Sequence, residues 1–191
     1  MYKTMAVTKG RSLEEIHKVI KEHEIKIVGE NRIQEASEKF PHLKGIEKHF
    51  IGHLQTNKAH SAVELCDVIE TVDSAKLAIA IDKEAEKLDK IMPIFIQVNI
   101  SREPQKRGIP EEELDKLIKT VRELHHLELR GLMTIAENTS DSEKIHAQFS
   151  RMKKLTQKHN LPELSMGMSE DYKIAIEEGA TIVRLGRALF D

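Results

Sequence analysis

Apolar and polar positions along this chain follow two rhythms. Short runs dense in β-branched and apolar residues fall at 2–8, 25–29, 49–52, 68–72, 93–99, 127–134, 163–166 and 181–185. Between them lie longer stretches whose apolar residues recur every three or four positions, the spacing of one helix face. Leu13, Ile16, Val19 and Ile20 make one such face; Ala78, Ile81, Ala85 and Leu88 make the next. Leu114, Leu117, Val121 and Leu124 follow, then Ile145, Phe149, Met152 and Leu155. Ser12 with Glu15 and Ser140 with Glu143 have capping-box spacing. Pro110 before Glu111-Glu112-Glu113 marks a helix first turn, and Gly179 suits a helix exit. Eight strand–helix units predict a parallel sheet, which closes most simply into a single-domain (β/α)8 TIM barrel. An open doubly wound sheet also alternates, but no G-x-G-x-x-G follows the first run. At about 24 residues per unit the barrel is compact, and the helices after the second and third strands are expected to be short.

Composition narrows the picture. No Pro/Gly/Ser-rich linker interrupts the chain, so residues 1–191 read as one domain. The hydrophobic fraction of 39% and charged fraction of 32% are those of a soluble globular protein, and the net charge of −2 argues against a nucleic-acid binder. No apolar run approaches the roughly 18–20 residues of a membrane span, and residues 1–7 lack a signal-peptide core. Cys66 stands alone, which excludes an intrachain disulfide and fits a reducing, cytoplasmic setting.

Polar residues collect where the strands should end. They are Thr8-Lys9, Gly29-Glu30-Asn31, Gly52-His53, Asp73-Ser74, Asn99, Met133-Thr134, Gly167-Met168-Ser169 and Arg184-Leu185-Gly186-Arg187. In a barrel these ends converge on the C-terminal face, where active sites sit. Lys9 follows an apolar strand; apolar walls there would favour a neutral amine able to attack an aldehyde, whereas the plainer alternative is a surface lysine. Gly167-Met168-Ser169 is read as opening the seventh helix, whose N–H groups and serine hydroxyl suit a phosphate. Glu170 and Asp171 in that turn would repel a phosphate unless they turn outward. Gly186 allows close backbone approach. Arg184, on an inward-facing strand, either makes a structural ion pair or meets a pyridine-type nitrogen and keeps it unprotonated. His49 and His53 lie on a strand and its turn without a third ligand at motif spacing, so no metal site is read.

The segments Ala6-Val7-Thr8-Lys9, Gly29-Glu30-Asn31, His49 to Lys58, Gln97-Val98-Asn99-Ile100, Arg130 to Ile135, Leu164 to Ser169 and Arg184-Leu185-Gly186 together resemble the pyridoxal phosphate homeostasis protein family. That family is the small single-domain relative of the alanine racemase N-terminal barrel, and the likeness runs in order from about residue 5 to 190. It implies that pyridoxal 5′-phosphate (PLP) is held as an internal aldimine on Lys9. It further implies that the Met168, Ser169 and Gly186 regions hold the phosphate, that Arg184 meets the ring nitrogen, and that Asn31, His53 and Asn99 line the mouth. The chain departs from the family in three places. The usual helix before the first strand has no counterpart, which would leave the barrel floor less covered. Arg187 stands where Thr or Ser is usual. Gln105-Lys106-Arg107-Gly108 resembles the family's basic loop, with Arg107 where serine is common and a cofactor contact of Lys106 left open.

Three functions follow from these residues. The first is a cytoplasmic PLP carrier, a monomer or weak dimer, passing cofactor to amines or apo-enzymes without robust turnover. The second is an amino-acid racemase, which needs acid/base groups on both faces of the substrate carbon. Lys9 serves one face, but related racemases take a tyrosine for the other from a second domain, and the only tyrosines here are Tyr2 and Tyr172. Slow side activity is compatible with the first reading. The third is a cofactor-free Schiff-base aldolase, which would be colourless.

Overall fold

Strand residues alternate between two environments, and that alternation closes the sheet. In the computed structural model, which describes residues 1–191, eight parallel strands pair in chain order. They are β1 (Lys3–Val7), β2 (Ile27–Glu30), β3 (Glu47–Phe50), β4 (Val68–Val72), β5 (Met92–Gln97), β6 (Leu127–Met133), β7 (Glu163–Ser165) and β8 (Ile182–Leu185). β8 returns to β1 with Lys3 opposite Ile182 and Ala6 opposite Leu185, which completes the ring. Each strand is followed by a helix: α1 (Leu13–Glu22), α2 (Ile33–Lys39), α3 (Ala59–Leu65), α4 (Ala75–Lys87), α5 (Leu114–Arg122), α6 (Ser142–Lys158), α7 (Tyr172–Glu177) and α8 (Arg187–Phe190). α2 and α3 have seven residues each, the short helices anticipated from the sequence.

The core splits accordingly. Met5, Ile27, Val68, Phe95, Met133 and Ile182 form a cluster inside the barrel. Their neighbours Ala6, Val28, Ile69, Ile94, Leu132 and Val183 face outward into the larger cluster shared with the helices. The amphipathic faces read from sequence supply the helix side, among them Ile16, Val19, Leu117, Val121, Phe149 and Met152. Hydrophobic burial of this extent is the main term favouring the fold. No helix is long and apolar enough to cross a membrane.

Several local expectations are refined. The Ser12–Glu15 capping box forms, with Ser12 Oγ accepting from the Glu15 N–H at 3.2 Å and the Glu15 carboxylate accepting from the Ser12 N–H at 2.7 Å. At α6 the cap is Asp141 rather than Ser140; its carboxylate accepts from the Glu143 and Lys144 N–H groups at 3.1 and 3.2 Å. Glu111–Glu113 winds as a 3-10 turn ahead of α5. β3 begins at Glu47, earlier than its apolar residues suggest, because the Glu47 backbone joins the β2 ladder opposite Ile27, its N–H donating to the Lys26 carbonyl at 2.9 Å.

Gly131 is required by packing. A Cβ there would lie 2.1 Å from the Glu163 carbonyl oxygen and 2.8 Å from the Phe95 ring. Gly131→Ala is therefore expected to destabilise the barrel by roughly 1–3 kcal/mol through overpacking. The check is the midpoint of urea unfolding; an unchanged midpoint would mean that β6 and β7 separate freely.

Candidate functional site

Lys9 sits in a tight turn between β1 and α1. The Arg11 N–H donates to the Thr8 carbonyl at 3.0 Å, and Gly10 takes the positive φ of +69° that such a turn needs at its third residue. A buried ion cluster holds this turn from below. Lys39 Nζ, at the end of α2, donates to the Thr8 carbonyl at 2.8 Å, to Glu30 at 2.7 Å and to Glu35 at 2.7 Å. Glu30, fully buried, also accepts from the Thr8 hydroxyl at 2.8 Å, and Glu35 accepts from the Gly10 N–H at 2.9 Å. The backbone is thus gripped on both sides of Lys9. Burial disfavours the Lys39 ammonium, but its bonds to Glu30 and Glu35 prevail and raise it above its ordinary value.

Lys9 itself is exposed and faces a cavity of about 730 Å³ at the C-terminal end of the barrel. The walls around it are mixed: Val7, Ile135, Ala136, Ile145 and Met168 supply apolar surface, beside charged side chains. Five of the 17 lining residues are hydrophobic, and Arg11, Lys106, Arg184 and Arg187 stand among the rest. The reason lies in the loops: β1, β5, β6, β7 and β8 each deliver polar residues to this end.

Met168, Ser169 and Gly186 line the same cavity. The loop after β7 does not open α7 directly. Gly167 turns at φ +90°, the Asp171 carboxylate accepts from the Met168 N–H at 2.6 Å, and the helix starts only at Tyr172. Ser169 Oγ instead accepts from the Ala188 N–H at 3.3 Å, which ties this loop to the start of α8. The N–H groups of Ser169 and Gly186 donate to no protein acceptor. Glu170, which lines the cavity, is neutralised by Arg187 at 2.6 Å. A Cβ on Gly186 would meet nothing closer than Val7 at 3.8 Å. The protein's own packing therefore does not demand glycine there, and the missing side chain leaves room on the cavity side for a ligand. Free amides, an unpaired lysine and an open glycine fit an anionic aldehyde such as PLP.

Arg184 rises from β8 beneath this cavity, 3% exposed. Its guanidinium donates to the Thr134 carbonyl and to Ser165 Oγ, both at 2.7 Å. The Ser165 hydroxyl donates to Glu70 at 2.6 Å, and the other Glu70 oxygen meets His49 Nδ1 at 2.6 Å. His49 Nε2 stands 3.6 Å from Glu47, too far for a hydrogen bond, and has no other partner. Glu47 accepts from Arg130 at 2.8 Å. Charges of alternating sign thus descend through the lumen. Burial disfavours the His49 imidazolium, but Glu47 and Glu70 outweigh it and raise His49 to about 9. Interaction with His49, then with Arg130, lowers Glu47 to about 2. Glu70 is lowered as well: burial opposes its charge, and His49, Arg184 and Ser165 overcome it.

The remaining predicted residues lie apart. Asn31 and His53 line a second cavity of about 210 Å³, separated from the first by Lys106 and Ile135. Asn99 lines neither; its amide donates to the Glu103 carbonyl at 2.9 Å and shapes the loop after β5. Sequence reasoning missed Arg11, the Glu137–Thr139 stretch of the first cavity, and the clamping role of Lys39. It also missed the Glu70–His49 pair, for which a charged residue inside the apolar run Val68–Val72 was the available signal.

Comparison with known proteins agrees with this geometry. The profile of the family "Alanine racemase, N-terminal domain" matches residues 1–191. The pyridoxal phosphate homeostasis protein of Aquifex aeolicus (strain VF5) is 40% identical over 174 residues, covering 87% of this chain and 76% of that protein. The structure of PipY from Synechococcus elongatus PCC7942 with PLP bound superposes with a TM-score of 0.91 at 32% identity, over 100% of this chain and 92% of that one. Alanine racemase of Clostridium difficile 630 shares the fold, with a TM-score of 0.81 at 14% identity over 98% of this chain and 52% of its own. Barrel, loop chemistry and relatives together place this chain in the pyridoxal phosphate homeostasis protein family, within the alanine racemase N-terminal-domain fold.

Proposed function

We propose that this protein binds PLP in the larger cavity and serves its intracellular homeostasis, holding the cofactor for delivery to other proteins without robust turnover of its own. The observation that carries the reading is one cavity containing both a lysine with no ion-pair partner and free backbone donors from the loops after β7 and β8. Lys9 supplies the amine that condenses with the aldehyde. Ser169, the Gly186 backbone and the Met168 loop hold the phosphate, and Arg184 faces the ring nitrogen. When bound, PLP supplies an electrophilic aldehyde and a conjugated ring. Apo-enzymes and free amines are the recipients in this reading, the protein acts in the cytoplasm, and it works as a monomer or weak dimer.

Racemase chemistry finds less support in the site. Neither Tyr2, exposed ahead of β1, nor Tyr172, packed against the core, lines the cavity. Purified protein is expected to be yellow, to lose its colour with borohydride, and to carry a pyridoxyl mass on the peptide containing Lys9. A colourless protein that gains no mass after incubation with PLP would instead favour the aldolase alternative. Lys9→Ala is expected to weaken PLP binding by roughly a hundredfold, about 2.7 kcal/mol, while leaving residual binding through the phosphate contacts. Equilibrium dialysis with PLP measures it, and undiminished affinity would remove Lys9 from the site.

A further inference from the structure

A buried guanidinium ordinarily takes a carboxylate in a two-point pair. Arg184 does not. Its two hydrogen bonds go to neutral acceptors, the Thr134 carbonyl and Ser165 Oγ. Burial lowers Arg184 from its ordinary value, and the carboxylates that oppose this, Glu70 and Asp171, act on it only through space. Glu70, on β4, stands across the ring from β8 and stops one residue short, at Ser165 of β7, the strand beside Arg184. A carboxylate only accepts, so the Ser165 hydroxyl hydrogen is committed to Glu70 and its lone pairs are left for the guanidinium. The other Glu70 oxygen is committed to His49, which fixes the carboxylate from its far side. Glu70, Ser165 and His49 are each at most 1% exposed, so solvent does not compete for these bonds.

The charge of Arg184 is therefore balanced at one remove. Its remaining N–H groups donate to nothing in the protein, and the residue lines the larger cavity. Direct pairing with Glu70 would draw the guanidinium down the lumen and use those donors. The interposed hydroxyl prevents this and leaves them to an acceptor in the cavity. We propose that Ser165 and Glu70 are positioning residues for the cofactor: the Ser165 hydroxyl, oriented by Glu70, holds the Arg184 guanidinium against the PLP ring nitrogen and so keeps that nitrogen unprotonated. This deepens the reading of PLP at Lys9 and rests on it. A guanidinium that neither loses its proton nor moves away disfavours a second positive charge beside it. With alanine at 165 the guanidinium would be free to settle on Glu70, which cancels its charge and withdraws it from the ring.

The test binds PLP, isotopically labelled at its ring nitrogen, to the full-length protein and follows it by NMR, because the shift of that nitrogen reports its protonation. Absorbance titration gives the affinity alongside. In the unmodified protein the nitrogen is expected to stay unprotonated through the neutral range. In Ser165→Ala it is expected to take up a proton as pH is lowered, and the half-saturating concentration of PLP should rise roughly tenfold, the scale of one charge-assisted hydrogen bond. Arg184→Met should behave likewise, and adding Ser165→Ala to it should change affinity by less than about twofold, since the serine acts through the arginine. A Ser165→Ala protein with the parental nitrogen shift and affinity, even one less stable to urea, would overturn the proposal, as would a further tenfold loss in the Arg184→Met background. An unmodified protein that takes up no PLP would overturn the cofactor reading instead.

Discussion

Glu70→Leu is expected to destabilise the barrel by about 3–5 kcal/mol, the scale for breaking a buried charge network by removing one partner. Leucine fills much of the volume but leaves the His49 imidazolium and the Arg184 guanidinium without the carboxylate between them. The Ser165 hydroxyl would lose its acceptor too. The pH dependence of stability reports on the same network. His49 is raised from 6.5 to about 9, so its contribution is complete below about pH 6.5 and disappears as pH rises through 9. Glu47 is lowered from 4.5 to about 2, so its contribution is complete above about pH 4.5 and disappears as pH falls towards 2. Stability against urea should therefore form a plateau between these limits. In Glu70→Gln the alkaline decline should begin at lower pH, because His49 has lost a carboxylate. Denaturant titrations from about pH 2 to 10 measure both; a Glu70→Leu protein as stable as the parent would show that the lumen tolerates unpaired charge.

Lys39→Met is expected to act on both stability and chemistry. Glu30 is fully buried, and Lys39 is its cationic partner. Removing the ammonium should cost about 3–5 kcal/mol, since an uncompensated carboxylate remains inside the protein. The same change releases the Thr8 carbonyl from one of its two donors and frees Glu35, which holds the Gly10 N–H. The turn carrying Lys9 would lose its support, so the rate at which the PLP colour appears should fall even where the variant is still folded. Lys39→Arg, which keeps the charge but changes its shape, should restore much of the stability and less of the rate. Stopped-flow absorbance alongside thermal unfolding separates the two effects. A variant that loses stability but reacts with PLP at the parental rate would reduce Lys39 to a structural residue.

The barrel was legible because its signal is local and repeated. Each β-type run and each helix face carries its own periodicity, and eight repetitions leave little freedom in the topology. The strand ends and loops bearing Lys9, Ser169, Arg184 and Gly186 could be placed for the same reason, since strand ends in a barrel converge. Contacts between residues distant in the chain were not legible. Ser165 meets Glu70 across 95 positions, and nothing in either segment names the other. The division of the mouth into two cavities depends on where the Lys106 side chain crosses, so Asn31 and His53 were grouped with Lys9 although they line a separate space. The start of α7 was misplaced because Asp171 competes for the Met168 N–H, a side-chain choice that periodicity does not record. The charged members of the walls around Lys9, such as Arg11 and Lys106, were not legible because they come from several different loops rather than from the strand that precedes it.

The seam between β1 and β8 lies directly under the pocket. Lys9 leaves one edge of that seam, and Arg184 and Gly186 leave the other. During synthesis Lys9 emerges well before Arg184 and Gly186, so a chain that has not yet reached β8 lacks the residues that face Lys9 across the pocket. Ligand capture would then report that the ring has shut, and a ribosome stalled before residue 182 would present a lysine indistinguishable from any other.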